Sequence, residues 1–121
     1  MSTAHTQGLA TLEQTVPTNP PIRSEFASEP EMKELVDLFL SELPQRTQSI
    51  TDAYKEQKWD TIKRISHQLK GASAGYGFPT IGSAAANVEK LFIQGEIRDE
   101  ESINRLTDSV KELLALCRRA A

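Results

Sequence analysis

Apolar side chains recur along most of the chain with the three- and four-residue steps of an α-helix. Between residues 32 and 43 these steps place the apolar positions on one face. The first helix is therefore expected to span Glu29–Leu43, with Ser28 as its N-cap. Pro44 should break or kink the chain where this helix ends, because proline lacks the backbone N–H that a helix requires.

Two further helical stretches follow Pro44. The first is short, and its pattern fades by Gln57. The second begins near Trp59, with Asp60 as a candidate cap. Its apolar positions form a single stripe, made of Ile62, Ile65, Leu69, Ala72 and Tyr76.

The last two predicted helices are bounded by stronger local signals. A break at Gly77 and Phe78 precedes a helix that has Pro79 in its first turn and stops at Gly95. The final helix starts after Asp99, which can cap it.

No segment alternates between apolar and polar residues with the period of a β-strand, so the pattern predicts an all-α fold. Short breaks between long helices make neighbours antiparallel. We expect an antiparallel four-helix bundle built from the second to fifth helices. The Glu29–Leu43 helix should be an additional N-terminal segment that packs along or across one end.

Residues 1–21 differ in composition from the rest of the chain. They contain five threonines and three prolines, with few large apolar side chains. Such a segment cannot bury enough surface to offset its ordering entropy. We expect a disordered arm over residues 1–21, bounded by Pro20 and Pro21, and a folded domain over residues 22–121. The alternative is that the arm covers part of the domain.

The overall composition narrows the class of function. The 121 residues fit one domain, and the net charge of −3 disfavours a nucleic-acid partner. A single cysteine, Cys117, excludes a disulfide framework and a cysteine-rich zinc site. No apolar run is long enough for a membrane span, and no secretory signal is visible. We therefore expect a cytoplasmic protein with no membrane or nucleic-acid partner.

His67 is the candidate reactive side chain. At about 100° per residue it lies roughly opposite the apolar stripe of its helix, so its imidazole should face solvent. No acidic residue lies within one turn of it on the same helix, and the nearest, Asp60, is about 10 Å away. The residues that neighbour His67 on the helix are three cations and two small residues: Lys63, Arg64, Lys70, Gly71 and Ala74.

This setting favours phosphoryl chemistry. A neutral imidazole is a good nucleophile, and nearby cations attract a phosphoryl donor and stabilise the product. A glycine inside a helix costs ~1 kcal/mol relative to alanine. At Gly71 that cost is best explained by clearance for an approaching partner, whereas close helix packing is an alternative for Gly75 and Gly77. The chain has no P-loop or nucleotide fingerprint, so the metal and the catalytic carboxylates must come from that partner.

The run from His67 to Phe78 resembles the signature of histidine-containing phosphotransfer (HPt) domains. Its matching positions are His67, Leu69, Lys70, Gly71 and Gly77. The resemblance extends over about residues 22–118.

The resemblance implies a four-helix bundle without catalytic activity of its own, acting as a phosphorelay intermediate. His67 would accept a phosphoryl group from the aspartyl phosphate of a receiver domain and pass it to another receiver. Lys70 would steady that group, assisted by the neighbouring cations Lys63 and Arg64. Gly71 leaves room for the receiver, and we expect Ala74 and Gly75 to extend this clearance.

Further expectations concern the surroundings of the site. Gly77 would belong to the turn that lets the next helix pack. Many family members place a glutamine on that helix, facing the histidine, and the comparable region here offers Asn87 and Glu89. The expected partners are response-regulator receiver domains and a hybrid sensor histidine kinase, with Mg²⁺ held by the receiver. We expect no metal or cofactor on this chain itself, and a monomer.

Three alternatives remain. An adaptor of the same fold could bind a receiver without phosphotransfer, although the presence of both His67 and Lys70 argues against it. A fragment of an ATP-using kinase or phosphatase would need a nucleotide-binding domain that the chain lacks. A metal-binding bundle is a poor fit, because no Glu or His lies three or four residues from His67.

Overall fold

Four α-helices account for most of the structure, a computed structural model that describes residues 20–121. They are α1 (Lys33–Lys55), α2 (Trp59–Gly75), α3 (Pro79–Gln94) and α4 (Glu100–Arg119), with a 3₁₀ turn at Pro30–Met32 before α1. Helix α2 packs against α1 and α3, and α4 packs against α3 and α1, which closes the bundle. The expected all-α four-helix fold is confirmed. Most of the predicted arm, residues 1–19, lies outside the described residues.

Helix α1 differs most from the expectation. Two helices separated at Pro44 were predicted, but the structure has one helix of 23 residues with Pro44 inside it. Proline cannot donate to the carbonyl of Leu40, four residues earlier, so one helical hydrogen bond is lost. The helix continues because its inner face stays buried on both sides of the proline, through Leu43 before it and Ile50 after it. Burial of this continuous face outweighs the local penalty.

The N-terminal segment is correspondingly smaller than predicted. The prediction of a separate Glu29–Leu43 helix is wrong: among the described residues from 20 onwards, the 3₁₀ turn Pro30–Met32 is the helical element that precedes α1. Ser28 caps no helix, since Met32 is the N-cap of α1 and makes no side-chain capping bond.

The other helix boundaries agree more closely with the local signals. Asp99 caps α4, where its Oδ1 accepts a 2.8 Å hydrogen bond from a backbone N–H in the first turn. Pro79 lies in the first turn of α3, and Gly95 is the C-cap of that helix. Asp60 is an exception, because it lies in the first turn of α2 and the N-cap is Lys58.

The turn between α2 and α3 is closed by the segment that precedes α1. Gly77 has a φ of +88°, a conformation that side chains with a Cβ rarely adopt. Its carbonyl accepts a 2.8 Å bond from the N–H of Glu25, and Ser24 Oγ donates to the carbonyl of Tyr76 at 2.7 Å. A Cβ on Gly77 would overlap Ser24 and lie 2.9 Å from the nitrogen of Glu25. The structure therefore places Gly77 in a tight turn that only glycine fits.

The segment around Ile22 runs beside the end of α4. The N–H of Ile22 donates to the carbonyl of Arg119 at 2.7 Å, and the N–H of Ala121 donates back to Ile22 at 2.9 Å. These bonds anchor the segment that leads to the turn at Gly77. Within residues 20–121, no helix has the length and apolar character needed to cross a bilayer.

The core lies between the four helices and positions α2. Phe39 of α1 stacks on Phe78 at a ring-centroid distance of 5.3 Å, next to the start of α3. Every helix contributes fully buried side chains to this core, among them Ile50, Ile62, Leu69, Ile81, Val88, Leu106, Val110, Leu113 and Leu114.

Candidate functional site

The rotation of α2 in the bundle determines what surrounds His67. The predicted stripe included Ala72 and Tyr76, but these are only partly buried, and Ser66 and Ser73 are fully buried instead. At 100° per residue this turns the buried face by about 40° towards α3. His67 still lies on the exposed surface, with 66% of its side chain accessible, but it lies on the side that borders α3.

Small residues allow α3 to approach α2 closely. Gly82 of α3 is buried, and a Cβ on it would lie 3.4 Å from the carbonyl oxygen of Lys70 and 3.6 Å from Cβ of Ser73. Gly82 is not among the residues predicted from the sequence. The sequence does contain a signal for it, because Gly82 is the first of several consecutive small residues inside a predicted helix. Such a pattern favours close packing against a neighbouring helix.

Glu89 of α3 binds both His67 and Lys70. Its Oε2 lies 2.6 Å from Nδ1 of His67, and its Oε1 accepts a 2.6 Å bond from Nζ of Lys70. The Glu89 side chain is only 11% exposed. The hydrogen bond from Lys70 is the main cause that lowers the pKa of Glu89; burial opposes this effect, and the bond from His67 adds to it. The carboxylate is therefore ionised at neutral pH.

This contact corrects the electrostatic surroundings expected for His67. From α2 alone, His67 had three cationic neighbours and no carboxylate nearer than Asp60. The structure supplies a carboxylate from α3 instead and pairs it with Lys70. Of the two candidates on α3, Glu89 faces His67, whereas Asn87 is exposed. Spacing within one helix could not reveal a partner 22 residues away.

The two other predicted cations are both exposed and lie on different sides of α2. Lys63 borders a cleft that it shares with Trp59 and Phe92. Arg64 lines a groove of about 520 Å³ between α1 and α2, together with Arg46. Of the three predicted cations, Lys70 is the one that forms an ion pair with Glu89, the carboxylate that is hydrogen-bonded to His67.

The exposed surface of α2 that follows His67 includes three residues without large side chains, and we call it the bare surface. Gly71, Ala74 and Gly75 are not buried. Apart from its chain neighbours and the backbone of its own helix, a Cβ on Gly71 or on Gly75 would meet no heavy atom within 4 Å. Helix packing therefore does not explain either glycine, in contrast to Gly77 and Gly82.

A family profile for the Hpt domain matches residues 34–118, which include all four helices almost completely. The chain belongs to the Hpt domain family. Membership implies a role in phosphotransfer within two-component or phosphorelay signalling, and interaction with response-regulator receiver domains. Hpt domains are phosphocarrier modules rather than enzymes in the usual sense. No curated protein and no solved structure matches the chain significantly.

The contact with Glu89 defines the tautomer of His67 in this Hpt domain. An ionised carboxylate can only accept hydrogen bonds, so Nδ1 of His67 carries the proton and donates a hydrogen bond to Glu89. Nε2 then holds the ring's free electron pair, on a side chain that is mostly exposed. Within residues 20–121, no three His, Cys, Asp or Glu side chains are grouped to hold a metal ion.

Proposed function

We propose that this Hpt domain is a phosphorelay intermediate and that His67 is its phosphorylated residue. Nε2 of His67 attacks the phosphorus of an aspartyl phosphate on a receiver domain. A P–N bond forms, the P–O bond to the aspartate breaks, and the carboxylate stays on the receiver. Transfer to a second receiver reverses these steps. The observation that carries the proposal is the exposed imidazole whose Nδ1 is bound to Glu89 at 2.6 Å.

Lys70 is suited to stabilise the transferred group. Its side chain is 43% exposed, and its ammonium group lies beside the ring through their shared partner Glu89. A charge-assisted bond to phosphate contributes about 1.5–3 kcal/mol. Lys63 and Arg64, one turn before His67, add positive charge on the path of an approaching phosphoryl group.

The receiver is proposed to dock over the bare surface formed by Gly71, Ala74 and Gly75. A phosphoryl transfer needs the two reacting atoms nearly in contact, and large side chains there would hold the receiver away. In this proposal the receiver supplies Mg²⁺ and the catalytic carboxylates, and the Hpt domain acts as a cytoplasmic monomer without a cofactor. A hybrid sensor histidine kinase is the proposed source of the phosphoryl group.

The test is phosphotransfer from phosphorylated receiver domains of the same organism to the full chain. We expect His67→Gln to abolish acceptance while receiver binding and the melting temperature stay close to those of the parent. His5→Gln is the matched control, since it removes the only other histidine and should accept at the parental rate. Phosphate found on the His67→Gln variant would contradict the proposal, and so would binding of receivers with no transfer to the parent protein.

A further inference from the structure

The proton on Nδ1 of His67 has consequences for the phosphorylated form. When a neutral imidazole attacks through Nε2 and keeps its Nδ1 proton, the ring in the product carries a positive charge. The ring becomes neutral only if Nδ1 then releases that proton. Glu89 is the group that contacts Nδ1, so it influences which of the two forms exists.

The two forms differ in how readily they give up the phosphoryl group. When the P–N bond of the protonated form breaks, the ring leaves as neutral imidazole. When the P–N bond of the unprotonated form breaks, the ring must leave as an imidazolate anion, which is a far poorer leaving group. Retention of the proton therefore keeps the phosphoryl group ready for transfer, and its loss makes the group more stable and less transferable.

We propose that Glu89 is a positioning residue that keeps the proton on Nδ1 of His67 throughout the phosphorylation cycle. The carboxylate then keeps the phosphorylated ring in its protonated, transfer-ready form. The inference rests on the proposed role of His67 and assigns Glu89 a part in the energetics of transfer. A glutamine at this position could accept the same hydrogen bond but would offer no negative charge to the ring.

In this proposal, Glu89 has a positively charged partner both before and after His67 is phosphorylated. Before transfer, Glu89 is paired with the ammonium group of Lys70 and accepts a hydrogen bond from Nδ1 of His67. After transfer, Lys70 can turn to the phosphoryl oxygens, because its side chain is 43% exposed. The positive charge that appears on the ring then replaces the lysine as the partner of Glu89. The largely buried carboxylate thus keeps one cationic partner at each stage.

Other charged groups around the site do not contact Nδ1. They are Lys63, Arg64 and Lys70 on α2, and Glu42 and Arg46 across the groove on α1. Arg46 lies 3.5 Å from Gln68 and 3.7 Å from Glu42, so its charge is directed along that groove. Among the described residues, Glu89 is the carboxylate that hydrogen-bonds to His67.

The test uses the full chain loaded with phosphoramidate, which phosphorylates histidine without any receiver. In that reaction the P–N bond of phosphoramidate breaks and ammonia leaves. A His5→Gln background restricts the signal to His67. The rate of phosphoryl loss in buffer is then measured against pH. The parent should lose its phosphoryl group more slowly above a certain pH, and we expect Glu89→Gln to lower that pH by about one unit. At pH values above the parental midpoint, the variant should then lose the group about tenfold more slowly than the parent.

Matched variants separate this effect from a general change in charge or folding. Glu96→Gln removes an equal charge from an exposed residue just beyond α3 and should leave the profile unchanged. Glu89→Asp keeps the charge and should stay closer to the parent than Glu89→Gln. Lys70→Gln can change the rate at every pH but should not move the profile to lower pH. Equal profiles for Glu89→Gln and the parent would overturn the proposal.

A second measurement is independent of any variant at Glu89. The ring ¹⁵N resonances of phosphorylated His67 in the otherwise unmodified site report directly on Nδ1. We expect Nδ1 to be protonated at pH 8, and an unprotonated Nδ1 would overturn the inference. If phosphoramidate loads His67 but no receiver exchanges the group, the proposed function fails, while the pH profile and the ring resonances still decide the role of Glu89.

Discussion

Glu89 occupies a position where α3 otherwise presents apolar and small side chains to its neighbours. Ala85, one turn earlier, and the adjacent Val88 are fully buried. Burial of a carboxylate is unfavourable unless the charge is paired and hydrogen-bonded. Here both oxygens are paired, one with Lys70 and one with His67. The Glu89 side chain thus determines the tautomer of His67 and forms an ion pair with Lys70.

The lowered pKa of Glu89 makes part of the stability depend on pH. A carboxyl group whose pKa is lowered in the folded state stabilises the fold above its ordinary pKa of about 4.3 and loses that contribution as the pH falls through the lowered value. We therefore expect Glu89→Gln to lose less stability than the parent between pH 5 and pH 2. Urea unfolding at several pH values measures this difference. Glu96→Gln is the control, and an acid dependence of Glu89→Gln as steep as the parent's would contradict the expectation.

At Gly71, the effect of a substitution on folding can be distinguished from its effect on receiver docking. In a helix interior, replacement of glycine should stabilise the free domain by up to ~1 kcal/mol, and the structure leaves open space for a side chain there. We expect Gly71→Gln to melt at least as high as the parent while losing most receiver-dependent phosphorylation. Thermal melting and phosphotransfer measure the two effects. Unfolding of this variant would show that Gly71 is a packing residue.

At the scale of the elements, α1 shows how burial can override a local helix breaker. Pro44 is exposed, and its missing N–H leaves the carbonyl of Leu40 without its helical partner. The helix nevertheless continues, because Leu43 and Ile50 belong to one buried face that packs against α2 and α4. A break at Pro44 would have removed one of these segments from the core.

Replacement of Pro44 measures how much stability the proline costs the protein. We expect Pro44→Ala to stabilise the protein, by up to about 3 kcal/mol, because the lost hydrogen bond returns and alanine favours a helix. Chemical denaturation measures the change in the free energy of unfolding. Because Pro44 is exposed, no core contact should be lost. A destabilised Pro44→Ala variant would mean that the proline is needed for the shape of α1.

At the scale of the whole molecule, α2 serves the core and the site at once. Leu69 is completely buried among the four helices, whereas His67, two residues earlier, is mostly exposed. The bundle therefore holds the His67 ring on a helix whose other face is packed along its length. Such a support limits movement of the ring relative to Glu89 on α3.

The contrast between the buried and the exposed face of α2 is tested by one substitution on each face. We expect Leu69→Ala to cost ~2–5 kcal/mol, because it leaves a cavity in the core. His67→Gln should change stability by no more than ~0.5 kcal/mol, since most of the ring is exposed. Unfolding in denaturant compares the two variants. A Leu69→Ala variant as stable as the parent would contradict the observed rotation of α2.

Much of the fold could be predicted because its signals are local. The caps and breaks at Asp99, Pro79 and Gly95 act within one helical turn, and the structure has them at the expected helix ends. The apolar periodicity predicted the all-α class, and the short run from His67 to Phe78 was enough to indicate the Hpt family, which the family profile confirms. Each of these features depends on residues that are close together in the sequence.

The helical class and the family could be predicted from the amino-acid sequence, which also singled out His67 as a candidate, because local propensities and a short motif carry that information. The continuation of α1 through Pro44 and the contacts of Glu89 with His67 and Lys70 could be seen only once the helices were packed together. Both outcomes depend on which helices pack together and on their rotation. Gly82 allows α3 to approach α2 closely, and the buried face of α2 lies about 40° from the predicted stripe, on the side of α3; together these features bring side chains 22 residues apart into contact. Neither the distance between two helices nor the orientation of a helix in the bundle can be obtained from residue spacing along a single helix, because the packing of the whole bundle sets both.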